Sequence, residues 1–123
     1  MKIEVSIGEI VDKLSILELK LEHIKDKDKL QNINKEYSYL KTVVFSDLCI
    51  SIDDYNILLN VNRELWEIED KIRVKELNKQ FDNEFIKLAR SVYQVNDIRA
   101  DLKKEINIKY NSSLVEEKSY QKY

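Results

Sequence analysis

Polar side chains that could do chemistry fall at helical spacing in two stretches of the chain. Between residues 55 and 73, Tyr55, Leu58, Leu59, Leu65, Trp66 and Ile72 share a broad apolar face at 100° per residue. Asn62, Glu69 and Arg73 fall inside that face, not opposite it. Between residues 85 and 103, Phe85, Leu88, Ala89, Val92 and Val95 define a stripe that also takes in Asn96, Arg99 and Lys103. If the two stretches fold back on each other near residue 80, Asn62 comes close to Asn96 and Arg99. Polar groups there must find partners, because burying them unpaired is costly. As a pocket, Arg99 and Lys103 would hold a phosphate or carboxylate, Asn62 and Asn96 would direct it, and Glu69 or Asp12 would serve as acid or base. As a brace, the same groups would form a buried network that fixes helix register, or would reach past the apolar face to solvent. Glu18, at the edge of the first helix's apolar face, is the carboxylate expected to join the cluster. Glu69 and Arg73 are spaced i, i+4 for an intrahelical ion pair.

Other residues offer less. His23 is the only histidine, and without a second histidine or a cysteine partner it is a poor metal ligand and reads as a surface residue. No serine has a histidine placed as its base, which argues against a hydrolase triad. Glu64, Glu67 and Asp70 give overlapping E-x-x-E and E-x-x-D spacings, which could hold Mg²⁺ if a neighbouring helix supplied a second pair. No such pair is evident, and overlapping acidic spacings arise easily in a chain that is 36% charged. No metal and no cofactor is therefore expected.

The elements that must position these residues are helices. There is one glycine, Gly8, and no proline, so the turn residues that hairpin-rich sheets need are missing. Ser6-Ile7-Gly8-Glu9 has the form of a capping box, with a first helix from Ile7 to about Lys25. A second box at Asp28 to Gln31 opens a helix from about Lys29 to Phe45. Ser51 opens a third helix that runs to about Asn78, and Asp82 caps a fourth from about Asn83 to Ile108. The connections are short, so consecutive helices should be antiparallel neighbours. The expected fold is all-α, a helical bundle of four main helices arranged as two antiparallel αα-hairpins. Residues 1–110 form the expected domain. Residues 111–123 are a polar tail, expected as a short helix or a mobile segment.

The net charge of −2 and the absence of a basic stripe argue against nucleic acid and against an anionic membrane surface. Cys49 stands alone, so no intrachain disulfide framework exists. No apolar run reaches spanning length and the N-terminus lacks the shape of a signal peptide, so a cytoplasmic setting is expected. Ile16 and Leu19 form a second apolar patch on the first helix. That patch, with the long third and fourth helices, points to a homo-oligomer, a homodimer first.

Four stretches together carry a resemblance: Val5–Lys20 (VSIGEIVDKLSILELK), Leu65–Arg73 (LWEIEDKIR), Leu88–Lys103 (LARSVYQVNDIRADLK) and Glu116–Tyr120 (EEKSY). The chain resembles a family of short, uncharacterised bacterial and phage proteins classed only as a domain of unknown function. The resemblance covers nearly the whole chain and implies that it stands alone; it implies no activity. Asp12, Glu69, Asp70, Arg73, Arg90, Asn96, Asp97 and Arg99 lie in the matching segments.

Three function classes fit the sequence, in this order. The first is a non-enzymatic helical interaction or accessory protein that recognises a protein partner. The second is a small all-α enzyme or ligand-binding domain with the Arg/Asn/Glu cluster as a pocket for an anionic metabolite. The third is a Mg²⁺-dependent nucleotide pyrophosphohydrolase.

Overall fold

The computed structural model describes residues 1–123 and contains helices and no strands. Helix α1 spans Ile7–His23, α2 spans Lys27–Thr42, α3 spans Ile52–Leu77 and α4 spans Asn83–Lys109. The last turn of α2 widens into a π-helical turn over Val43–Asp47, which places Val44 in the core.

Short polar side chains start all four helices. Ser6 accepts the Glu9 N–H, Ser51 accepts the Asp54 N–H and Asp82 accepts the Phe85 N–H. At α2 the cap is Asp26 rather than Asp28: its carboxylate accepts the Lys29 N–H at 3.0 Å, and Asp28 falls inside the first turn, where it favours the positive end of the helix dipole. At α1 only half of the expected box forms. The Glu9 carboxylate turns instead to Lys103, 2.8 Å away on α4. An ion pair to another helix outcompetes a hydrogen bond to the local backbone.

Helix α1 is the centre of the bundle. Val11, Leu14 and Leu19 join Val44, Ile50, Tyr55, Leu58, Leu59 and Ile106 in one core. Leu19 is almost fully buried there and Ile16 partly so, so the chain's own elements cover most of the second apolar patch of α1. A helix that is apolar on two sides is one enclosed on two sides.

Helices α3 and α4 are each about 40 Å long at ~1.5 Å per residue, and α1 covers only part of them. Its end is marked by His23, whose ring stacks on Trp66 with centroids 4.7 Å apart. Beyond that point the two helices have only each other, sharing a small core of Leu65, Ile68 and Val95. This projecting arm explains one correction. Glu69 and Arg73 were expected on a covered face and are exposed, because no third helix reaches their level. Val74, Leu77, Phe81 and Ile86 are exposed there too.

Residues 111–123 form no helical turn. Ser112 is used by the N-terminus instead, its Oγ accepting the Ile7 N–H at 3.0 Å. The chain then runs back along α4: Glu116 meets Lys103, Glu117 meets Lys104, and the Tyr123 hydroxyl donates to Asp97 at 2.6 Å.

Gly8 is where α1 and α4 approach most tightly. A Cβ there would sit 2.5 Å from the Lys103 carbonyl oxygen and 3.0 Å from Asn107 Oδ1. The Gly8 N–H donates to that same Asn107 oxygen at 2.6 Å. Gly8→Ala must push two helices apart. A loss of about 1–3 kcal/mol is expected, read as a thermal midpoint several degrees lower. An unchanged midpoint would mean that the crossing is loose.

Candidate functional site

The polar residues singled out in the sequence divide into two groups. Asn62, Asn96, Arg99 and Lys103 come together; Glu69 and Arg73 remain outside on the arm. The carboxylate that organises the cluster is Asp12, not Glu18. Glu18 points elsewhere and accepts the Tyr55 hydroxyl at 3.2 Å. Burial and the nearby Glu18 charge push the Tyr55 phenol well above its ordinary range.

Asp12 is 1% exposed and both of its carboxylate oxygens are engaged. Arg99 approaches two-pronged, Nε to Oδ1 at 2.9 Å and Nη2 to Oδ2. Asn62 Nδ2 donates to the same Oδ1 at 2.9 Å and to Ser15 Oγ at 2.7 Å. Ser15 Oγ donates in turn to the Asp12 carbonyl at 2.6 Å. Lys103 Nζ lies 3.9 Å from Oδ2 and is held by Glu9. The bond to Asp12 raises the Arg99 pKa above its already high value. Three helices are thus tied at one buried carboxylate, α1 by Asp12, α3 by Asn62 and α4 by Arg99. The sequence does carry a signal for Asp12. Gly8 and Ser15 flank Asp12 at i−4 and i+3, and small residues on either side of a carboxylate mark a face that another helix approaches closely.

Outside this knot an open groove of about 240 Å³ lies between α4 and the C-terminal segment. Asn96, Asp97, Arg99, Lys103, Lys104 and Asn107 line it from α4, and Glu116, Lys118 and Tyr120 line it from the tail. The tail residues were missed in the sequence because nothing local fixes the path of a segment without helix or strand. Asn107 and Lys104 were missed because they follow the stripe that was traced.

The groove has donors to spare. Arginine carries five N–H groups; Arg99 spends two on Asp12 and one on Asn96 Oδ1 at 3.4 Å. The remaining two are uncommitted. Asn107 gives its Oδ1 to Gly8, and its amide nitrogen makes no hydrogen bond within the chain. Asn96 is in the same position, its Oδ1 used and its nitrogen unused. The acceptors, by contrast, are engaged. Glu116 bridges Lys118 at 2.9 Å and Lys103 at 3.5 Å, and Asp97 takes the Tyr123 hydroxyl.

Two further placements bear on the chemistry. Glu64, Glu67 and Asp70 stay exposed on α3, and no three His, Cys, Asp or Glu side chains gather anywhere in the chain. His23 Nδ1 lies 2.8 Å from the Leu19 carbonyl oxygen, so that nitrogen is the donor and the ring is fixed against Trp66. No helix is long and apolar enough to cross a membrane.

Two predictions follow from the charges. Arg99→Ala leaves a buried carboxylate without its counterion, so about 3 kcal/mol or more should be lost. The control is the exposed Lys35→Ala, and denaturant midpoints of both variants provide the measurement. The cluster is no brace if the two midpoints match. For pH, the hydrogen bond to Lys118, aided by the Lys103 charge, holds the Glu116 carboxyl below its ordinary value. A group whose pKa is lower when folded contributes contact stability above its ordinary pKa and loses it as pH falls through the depressed value. NMR backbone order parameters of residues 113–123 should therefore hold steady from neutral pH down to the ordinary carboxylate range and fall as pH drops through the depressed value.

No curated protein and no solved structure matches the chain. One family model does, over residues 1–123. Its match takes in α1, which carries Asp12, α4, which carries Arg99, and the tail that closes the groove. The chain belongs to a family of unknown function, DUF6165.

Proposed function

We propose that the chain is a ligand-binding protein whose groove between α4 and the C-terminal segment takes a small, acceptor-rich anion, a carboxylate or a phosphate. One observation carries this reading. The Arg99 guanidinium is locked two-pronged on buried Asp12 and still has two N–H groups uncommitted in an open groove.

The arrangement suits binding because it is paid for in advance. A free arginine side chain loses rotamer freedom when it grips a ligand, whereas this one is already immobilised by Asp12 and Asn96. The unused amide nitrogens of Asn96 and Asn107 extend the donor row along α4, and the ammonium groups of Lys103 and Lys118 add charge. Charge-assisted hydrogen bonds are the strong ones. Three of the four stretches behind the family resemblance, 5–20, 88–103 and 116–120, meet at this place. Catalysis fits the geometry less well. Both oxygens of Asp12 are engaged, and Glu69 is on the arm, so neither is placed as acid or base.

A second reading has its own observation. Val74, Leu77, Phe81 and Ile86 are exposed near the end of the α3–α4 arm, a surface suited to a protein partner or a second copy of the chain. The homo-oligomer expected from the sequence would then form through the arm and not through α1.

Thermal unfolding in the presence of inorganic phosphate and of succinate tests the first reading. A ligand at about a hundred times its Kd stabilises by roughly 2.7 kcal/mol, several degrees for a domain of this size. The shift should appear in the native chain and shrink in Lys118→Ala, whose half-exposed side chain the fold can spare. Stabilisation by neither anion, in the native chain and in Glu116→Gln alike, would remove the ligand reading and leave the arm as the working surface.

A further inference from the structure

The tail that closes the groove differs from every other segment of the molecule in how it is held. Past Ser112, residues 113–123 make no backbone–backbone hydrogen bond, and every one of them is exposed. Side-chain contacts alone fasten them to α4: Glu116 to Lys103, Glu117 to Lys104, and Tyr123 to Asp97 and, edge-on at 4.9 Å, to the Tyr93 ring. Ion pairs whose tail carboxylate faces water contribute little each, so the segment can leave α4 without disturbing the helices.

Glu116 has a particular position among these contacts. Its carboxylate spans two ammonium groups, 3.5 Å from Lys103 on the helix and 2.9 Å from Lys118 on the tail itself. The Glu116 charge also acts on Arg99. A carboxylate between Lys103 and Lys118, beside the open edge of Arg99, stands where an incoming anion would gain most. Building on the anion-binding reading, we infer that Glu116 is a resident competitor: the tail is a strap whose own carboxylate fills the anion position, and a bound ligand takes its place.

The inference sets a sign that a wall residue would not give. A residue that merely shapes the groove weakens binding when changed, whereas a competitor strengthens it. Glu116→Gln keeps the size of the side chain and removes the charge. The affinities of the full-length native chain, Glu116→Gln and Lys118→Ala for inorganic phosphate and for succinate are to be measured by calorimetry. NMR backbone order parameters of residues 113–123 are to be followed in each state. Glu116→Gln should bind about tenfold or more tightly and Lys118→Ala more weakly, with bound anion lowering the order parameters of the native tail. The preferred anion separates a phosphoryl ligand from a carboxylate ligand. Binding by Glu116→Gln alone would also support the competitor, as one strong enough to silence the native site. If the native chain binds and Glu116→Gln binds no better, Glu116 is only a wall, and the groove remains an anion site. If no version binds either anion, the ligand reading itself is wrong and the competitor with it.

Discussion

One buried carboxylate sets the arrangement of the bundle. Asp12 lies on the central helix, sealed from water, and its charge is acceptable there only because Arg99 and Asn62 supply hydrogen bonds to it from two other helices. That requirement is directional in a way apolar packing is not. Leucines on α1, α3 and α4 can pack in more than one register, but the Asp12 oxygens accept two-pronged from Arg99 in one alignment only. Rotating or sliding α4 by a residue would leave a charge in the core without its counterion.

The close approach at Gly8 belongs to the same constraint. Arg99 and Lys103 lie a turn apart on α4, and Asn107 lies a turn further on. For all three to meet α1 through Asp12, Glu9 and the Gly8 amide, the helices must run almost in contact at their shared end. Only a residue without a Cβ leaves room for the Lys103 carbonyl there. The polar knot and the glycine therefore act as one device, and the groove lies on its outer side. Its donors are held in place because the knot fixes the side chains that carry them.

The molecule is unevenly covered. Where α1 runs, α3 and α4 share a well-filled core; past Trp66 they form a two-helix arm with a thin seam. Two helices cannot bury both flanks of each other, so apolar side chains on the arm remain in water. The arm and the groove are separate features, one apolar and projecting, the other polar and enclosed by a strap.

The sequence by itself determined the helices. A chain with one glycine and no proline, punctuated by Ser6, Ser51 and Asp82, has little choice but four helices, three of them starting at the caps expected, since caps and apolar periodicity act over a few residues. The juxtaposition of Asn62, Asn96, Arg99 and Lys103 was legible too, because a short connection forces α3 and α4 to run antiparallel and fixes which levels face. Tertiary structure decided what local patterns do not encode. It decided that Asp12 and not Glu18 receives Arg99, because both carboxylates lie near the apolar face of α1 and only the path of α1 across the hairpin selects one. It decided that Glu69 and Arg73 face water, because a wheel shows which residues share a face but not how far along the helix a neighbour extends. It also decided that the tail lies on α4 and completes the groove, because a segment without regular hydrogen bonds takes its path from side-chain partners more than ten residues away.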